Sequence, residues 1–239
     1  MKFLPFALIL FCSTLKDYAQ PVLKNPGILE SESYEIYDYI NTSVGFVTAK
    51  VYSSLKERNG KKYYYINVKE GDIFSNEIEL NYSDLTTISE KRVDLRTNSV
   101  VEYYSNYGDN IIHFFNKEYG LDKNFSTDEK NIYSRYAYFF SFSGFPFESE
   151  KDVTFKSYMC EYGNALTMRV TNVGKEMVSV KAGTFECYKL ELAVAGWQSI
   201  FASDKYYFYF SVNKPHHFVK YEEEDNGQWY ADELIREIK

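Results

Sequence analysis

Residues Val178–Leu192, VSVKAGTFECYKLEL, decide how the rest of the chain is read. Two runs of β-forming residues flank Lys181-Ala182-Gly183-Thr184, and Gly183 can take a positive φ at little cost, so a tight reversal fits between them. Beyond the reversal Tyr188, Leu190, Leu192 and Val194 recur at a period of two, the pattern of a strand with one buried face. The stretch reads as a hairpin at the centre of an antiparallel sheet. It holds no catalytic constellation, and neither does the rest of the chain.

Upstream, the same theme repeats. YEIYDYI (34–40), GFVTAKVY (45–52) and KKYYYINVK (61–69) are strand-like runs, and Asn59-Gly60 between the last two is a hairpin signal. Further strands are expected over 78–84, 91–96, 100–104 and 110–116. One interruption has helical spacing. Ser126 and Glu129 fit a capping box, and Ile132, Tyr133, Tyr136, Ala137, Phe139 and Phe140 follow at helical intervals until Gly144 and Pro146 end the element, so a helix is expected near 128–142. Its aromatic stripe either plugs a sheet or lines a pocket. Strands resume over 152–160, 165–172, 176–180, 185–194, 205–213, 217–223 and 230–238, with Asn226-Gly227 as a second hairpin turn.

Consecutive strands with short turns favour a meander. About a dozen strands in one flat sheet would be unusual, so curvature or closure is expected. The fold class is therefore mostly β, a single domain over 34–239. It is built as a strongly curved antiparallel meander sheet or incomplete β-barrel with one short helix, a two-sheet β-sandwich being the alternative.

Residues 1–20, MKFLPFALILFCSTLKDYAQ, read as a signal peptide: Lys2 starts it and Phe3 to Cys12 form an apolar core too short to span a bilayer. Cleavage near Ala19 or Gln20 would export the chain to the periplasm, the cell surface or the medium. Lipid anchoring at Cys12 is the weaker fate, because bulky Phe11 stands where a lipobox has a small residue. Pro21 to Ser33 reads as an extended, mobile lead-in. No later stretch is a transmembrane helix.

Without residues 1–20 the chain keeps 25 of its 27 basic and 33 of its 34 acidic residues, a net charge of −8. An acidic chain with no basic cluster repels phosphate backbones, which argues against nucleic acid as a partner. Cys160 and Cys187 remain, and outside the cytoplasm they either pair as a disulfide or stay as two buried thiols. No C-x-x-C or H-x-x-x-H spacing points to a metal. His113, His216 and His217 are scattered, and the last two would face opposite sides of one strand. The run Glu222-Glu223-Glu224-Asp225 lacks the spaced ligands of a calcium loop and reads as solvated strand-end charge. There is no G-x-S-x-G elbow and no phosphate-cradling glycine loop, and nothing draws carboxylates such as Asp38 or Glu186 into a cleft. An enzyme finds no support in the sequence, and no cofactor is expected.

The order of signals in the C-terminal half is recognisable. Gly174-Lys175-Glu176-Met177-Val178 leads into VSVKAGTFECYKLEL, and the aromatic strand KYYFYFSVNKPHHFVKYEE (205–223) follows. With YSRYAYFFSFSGFPF (133–147), this resembles the bacterial exported family of domain of unknown function 3108. Lys181 stands where that family has proline, and Tyr209-Phe210-Ser211-Val212-Asn213 stands for its W-x-S-x-D segment. The resemblance implies an exported, mostly antiparallel β protein and carries no catalytic residues.

What is unusual is aromatic density, 24 tyrosines and 19 phenylalanines. Runs such as Tyr206-Tyr207-Phe208-Tyr209-Phe210 place rings on both strand faces, where one face is core and the other is either plain surface or a binding face. The candidate ligand-binding residues are Tyr136, Phe139, Phe140, Tyr188, Leu190, Phe208 and Phe210, expected to hold a lipid or other amphipathic ligand. The alternative is a structural or assembly protein of the envelope that acts through protein–protein contacts, its partner unnamed.

Overall fold

The computed structural model describes residues 23–27, 33–38, 47–106, 111–126, 132–159, 164–196, 205–225 and 227–238. In chain order the strands are β1 (Ser33–Asp38), β2 (Val47–Arg58), β3 (Lys61–Glu70), β4 (Phe74–Asn81), β5 (Thr87–Asp94), β6 (Ser99–Asn106), β7 (Ile111–Asn116) and β8 (Leu121–Ser126). There follow β9 (Ile132–Ser134), β10 (Asp152–Met159), β11 (Asn164–Val180), β12 (Gly183–Val194), β13 (Lys205–Ser211), β14 (Phe218–Asp225) and β15 (Gln228–Ile238). All belong to one sheet, ordered β8-β7-β6-β5-β4-β3-β2-β1-β15-β14-β13-β12-β11-β10-β9. The expected meander is thus present, with two departures. β1 pairs with β15 as well as β2, and β9 pairs with β10 in parallel. The middle of the order is β1, so the β11–β12 hairpin is an inner wall toward one end of the sheet, not its centre.

The period-two reading of β12 holds on one face. Tyr188, Leu190 and Leu192 are buried, as are their counterparts Ala49 and Val51 on β2, Tyr64 and Ile66 on β3, and Ile78 and Leu80 on β4. These faces share one core. The sheet curls until β9 meets β5 without a ladder between them: the Ser134 N–H donates to Thr87 Oγ1 at 2.9 Å. Strands β6 to β8 run on past this seam, where Tyr158 of β10 packs 5.7 Å from Tyr104 and 6.3 Å from Phe114 between ring centroids. The result is a half-barrel closed by side chains, which matches the curved-sheet expectation; the sandwich alternative is not what forms.

The helical element is shorter than the sequence spacing suggests. Residues 127–131 lie outside the described residues, Ser126 ends β8, and Ile132–Ser134 is extended. Helical structure spans only Arg135–Gly144, as a 3₁₀ turn (Arg135–Ala137), α1 (Tyr138–Ser141) and a second 3₁₀ turn (Phe142–Gly144). The sheet overrides the local pattern because all three residues of β9 are buried in the seam. This short element, the plug, fills the concave side. Tyr138 stacks on Phe142 at 4.9 Å, and Phe142 meets Phe155 and Phe208 edge-on at 5.7 and 5.1 Å, arrangements aromatic rings favour.

One end of the curl is covered. The β11–β12 loop is the expected tight reversal at Lys181-Ala182, with Gly183 at φ +140°, and the Ala182 N–H donates to the Leu234 carbonyl on β15 at 3.1 Å. The lead-in is no mobile tail over residues 23–27. Leu23 is fully buried, Lys24 N–H donates to the Gly144 carbonyl at 2.9 Å, and Asn25 N–H to the Ser83 carbonyl at 3.1 Å. Gly144 makes this possible, since a Cβ there would lie 2.4 Å from the Lys24 carbonyl oxygen. Two adjacent apolar residues, Val22 and Leu23, between prolines give no periodicity by which such docking could be read.

Candidate functional site

The seven candidate aromatic and aliphatic residues belong to or pack against one core, though not at one place in it. Phe140, Tyr188, Leu190, Phe208 and Phe210 belong to the buried core, and Tyr136 and Phe139 pack against it half-buried. They differ in depth. Leu190 and Phe210 are completely enclosed, whereas Tyr136 and Phe139, three residues apart on the plug, keep part of their rings accessible. Phe139 sits 5.5 Å from Phe208, 5.3 Å from Phe218 and 5.2 Å from Tyr221, all edge-on. Tyr136 turns the other way, with the Arg92 and Arg135 guanidiniums 5.0 and 4.7 Å from its ring centre. Val68, Val194 and Tyr206 are likewise half-buried against the core. Residues 39–46, 160–163 and 197–204 lie outside the described residues.

Tyr188 belongs to a different corner. Its ring stacks on Phe147 at 4.1 Å, its hydroxyl donates to Glu148 at 2.7 Å, and His216 stands edge-on at 5.6 Å. His216 and His217 are not strand residues; they sit in the β13–β14 turn. His216 is buried, with Nδ1 2.9 Å from the Ser211 carbonyl, and burial lowers its pKa from the ordinary value.

A polar cluster that sequence reasoning missed lies where the plug meets the β5–β6 wall. Glu90 and Glu102 are 2% and 6% exposed. Ser134 Oγ donates to Glu90 Oε2, which is why this residue, at the plug's N-terminus, makes no helix cap. Arg92 is clasped by Glu70 through two bonds of 2.7 and 2.8 Å and rests 4.0 Å over Phe74, while Arg135 lies 3.7 Å from Glu102. Burial, then the neighbouring Glu102, pushes the Glu90 carboxyl up to about 8, against the Ser134 bond and the two guanidiniums. Burial also raises Tyr136 to about 12. Glu90 and Arg92 alternate on β5, yet no local pattern ties Glu90 to Ser134, 44 residues away.

The acidic run behaves as ordinary paired charge. Lys220 lies 2.8 Å from Glu222, Lys205 lies 3.0 Å from Glu224, and the hydroxyls of Tyr209 and Tyr221 donate to Glu222 and Glu223. No group of three potential metal ligands occurs among the described residues. Cys187 is a buried free thiol on the convex side with Val178, Tyr209 and Val219; Cys160 lies outside the described residues. Its chain neighbour Met159 pairs with Asn164, whereas Cys187 pairs with Glu176 further along β11.

No family model matches the chain, and no curated protein does. Among solved structures it is similar to a β-barrel-like protein of domain of unknown function DUF1849 from Brucella abortus, at 8% identity and a TM-score of 0.49. That likeness covers 87% of this chain and 97% of the other. It is also similar to a protein described as exported, with a YmcC-like fold, from Bacteroides fragilis: 13% identity, TM-score 0.32, 92% of this chain and 100% of that one. A protein described as a lipoprotein from Parabacteroides distasonis shares 12% identity at a TM-score of 0.34, over 87% and 95%. Among the described residues, no helix is long and apolar enough to cross a membrane.

Proposed function

We propose that the chain is an exported, non-catalytic binding module for an apolar or amphipathic ligand, taken up on the plug side of the half-barrel. One observation carries this reading. Tyr136 and Phe139 are half-buried rings on a short plug, continuous with an aromatic interior that includes Phe208, Phe218 and Tyr221. Such a surface gains from covering by an apolar chain, at about 25 cal/mol for each Å² removed from water. The address is supported by the charge–apolar–polar succession of residues 1–20 and by the resemblance to the exported family of domain of unknown function 3108.

A fluorescence titration with an amphipathic naphthalene sulfonate probe tests the binding reading. Saturable binding weakened several-fold by Phe139→Ala is expected; no binding, or binding indifferent to Phe139→Ala and Tyr136→Ala, contradicts it. N-terminal sequencing from the native host tests the address: a chain beginning near Gln20 or Pro21 is expected, and one beginning at Met1 contradicts it. The second reading, an assembly protein, rests on a different observation. Trp229 is 56% exposed on the convex face and nearly parallel to Tyr207 at 6.2 Å, and β8 ends the sheet with one neighbour. A stable partner in pull-downs that is lost in Trp229→Ala would favour it.

A further inference from the structure

The plug has a fastening that no ligand is needed to explain. Three carboxyl groups, Glu70 from β3 and Glu90 and Glu102 from β5 and β6, face two guanidiniums, Arg92 from β5 and Arg135 from the plug. Arg92 is committed to Glu70 and Arg135 lies against Glu102, which leaves Glu90 with the Ser134 hydroxyl. Among the described residues their neighbours include Asn76 from β4, 3.1 Å from Arg92, the Thr87 hydroxyl, 3.4 Å from that of Ser134, and the phenols of Tyr104, Tyr136 and Tyr158. None of these supplies a further positive charge. Burying a third negative charge beside Glu102 is costly, so the cluster balances by keeping one proton.

We propose that Glu90 and Glu102, with Ser134 and Arg135, form a proton-operated latch that fastens the plug to the β5–β6 wall. With the proton in place, Glu90 is a neutral acceptor for Ser134 and the seam between β9 and β5 stays shut. When the proton leaves, two carboxylates face each other in a dry seam, and lifting the plug off the wall is favoured because it lets water reach Glu90. The direction follows from linkage. Docked, Glu90 keeps its proton up to about pH 8; solvated, it has already lost it above its ordinary value of 4.5. Docking is therefore favoured at low pH and is weakened as pH rises through that window, by up to about tenfold per unit for one proton, and it levels off above about 8. The phenols do not titrate in this window, since burial raises Tyr104 and Tyr158 and also Tyr136.

The latch concerns the plug alone and is separable from the ligand reading. Hydrogen exchange of the full chain without ligand, with each rate divided by its intrinsic rate at that pH, tests it. Protection of the 135–144 amides is expected to fall by up to about tenfold per unit between about pH 6 and 8. Glu90→Gln should flatten that dependence, and Glu102→Gln should move its upper bend to lower pH, because Glu90 then has Arg135 as counter-charge. A flat wild-type profile, or an unchanged slope in Glu90→Gln, overturns the proposal. Infrared titration of the unaltered protein gives a check that needs no variant. A protonated-carboxyl band present at neutral pH and lost through about pH 8 supports the latch, and its absence overturns it.

Discussion

Gly144→Ala is the substitution at which local preference and tertiary packing disagree in sign. Gly144 closes the plug's last 3₁₀ turn, and its backbone is not in the left-handed region. Local reasoning alone therefore has alanine stabilise by about 0.4–1 kcal/mol, through a less flexible unfolded chain. The structure says the opposite. The new Cβ would meet the Lys24 carbonyl oxygen at 2.4 Å and Leu85 Cδ1 at 2.9 Å, and Lys24 cannot simply retreat, because its N–H is held by the Gly144 carbonyl at 2.9 Å. Relief requires the 23–27 segment to lift, which takes Leu23 out of a fully buried site. That forfeits about 1.5–3 kcal/mol of burial. With the local gain returned, a net destabilisation of about 1–2 kcal/mol is expected, limited by the freedom the segment recovers. Urea unfolding of the wild type, Gly144→Ala, Leu23→Ala and the double variant measures it. Because both single variants act through the same docked segment, the double variant should cost less than their sum, by at least about 0.5 kcal/mol. A stabilised Gly144→Ala, or strict additivity, would refute the docked lead-in.

Other expectations follow from the same packing. Phe142→Ala, which empties a fully buried site between Tyr138, Phe155 and Phe208, should cost about 3–5 kcal/mol in chemical unfolding; a loss under about 1 kcal/mol would mean the plug is not docked. Arg92→Lys keeps the charge but gives up the two-pronged grip on Glu70 and the stacking over Phe74, and should cost about 1–3 kcal/mol by the same assay. Burial pushes the Cys187 thiol up to about 12, so a thiol reagent at neutral pH should label it only after unfolding. Rapid labelling of the native protein at Cys187 would contradict its place in the convex cluster.

Much of the sheet could be read from alternation, and the misses have physical causes. Strands with one buried face, such as β2 with Ala49 and Val51 or β12 with Tyr188, Leu190 and Leu192, announce themselves at a period of two. β8 does not, because LDKNFS lies at the end of the sheet and its residues from Asp122 to Asn124 are exposed. β11 reads as two strands because Gly174 looks like a break, whereas a bulge between Asn172 and Gly174 lets one 17-residue strand continue. Ile132 and Tyr133 fit a helical stripe and become strand only because β10 and β5 lie on either side. The aromatic interior was legible as composition and alternation. The Glu90–Glu102 cluster was not, since it depends on which strand the curl brings opposite the plug, and that contact leaves no trace in local spacing.

The proposed occupant of the half-buried plug face at Tyr136 and Phe139 is an apolar or amphipathic ligand. The direct test is mass spectrometry of an organic extract of the protein purified, without detergent, from its native host. A defined amphipathic compound is expected, recovered in near-stoichiometric amount from the wild type and depleted in Phe139→Ala. A wild-type extract with no such compound, from protein that is folded and exported, would contradict it.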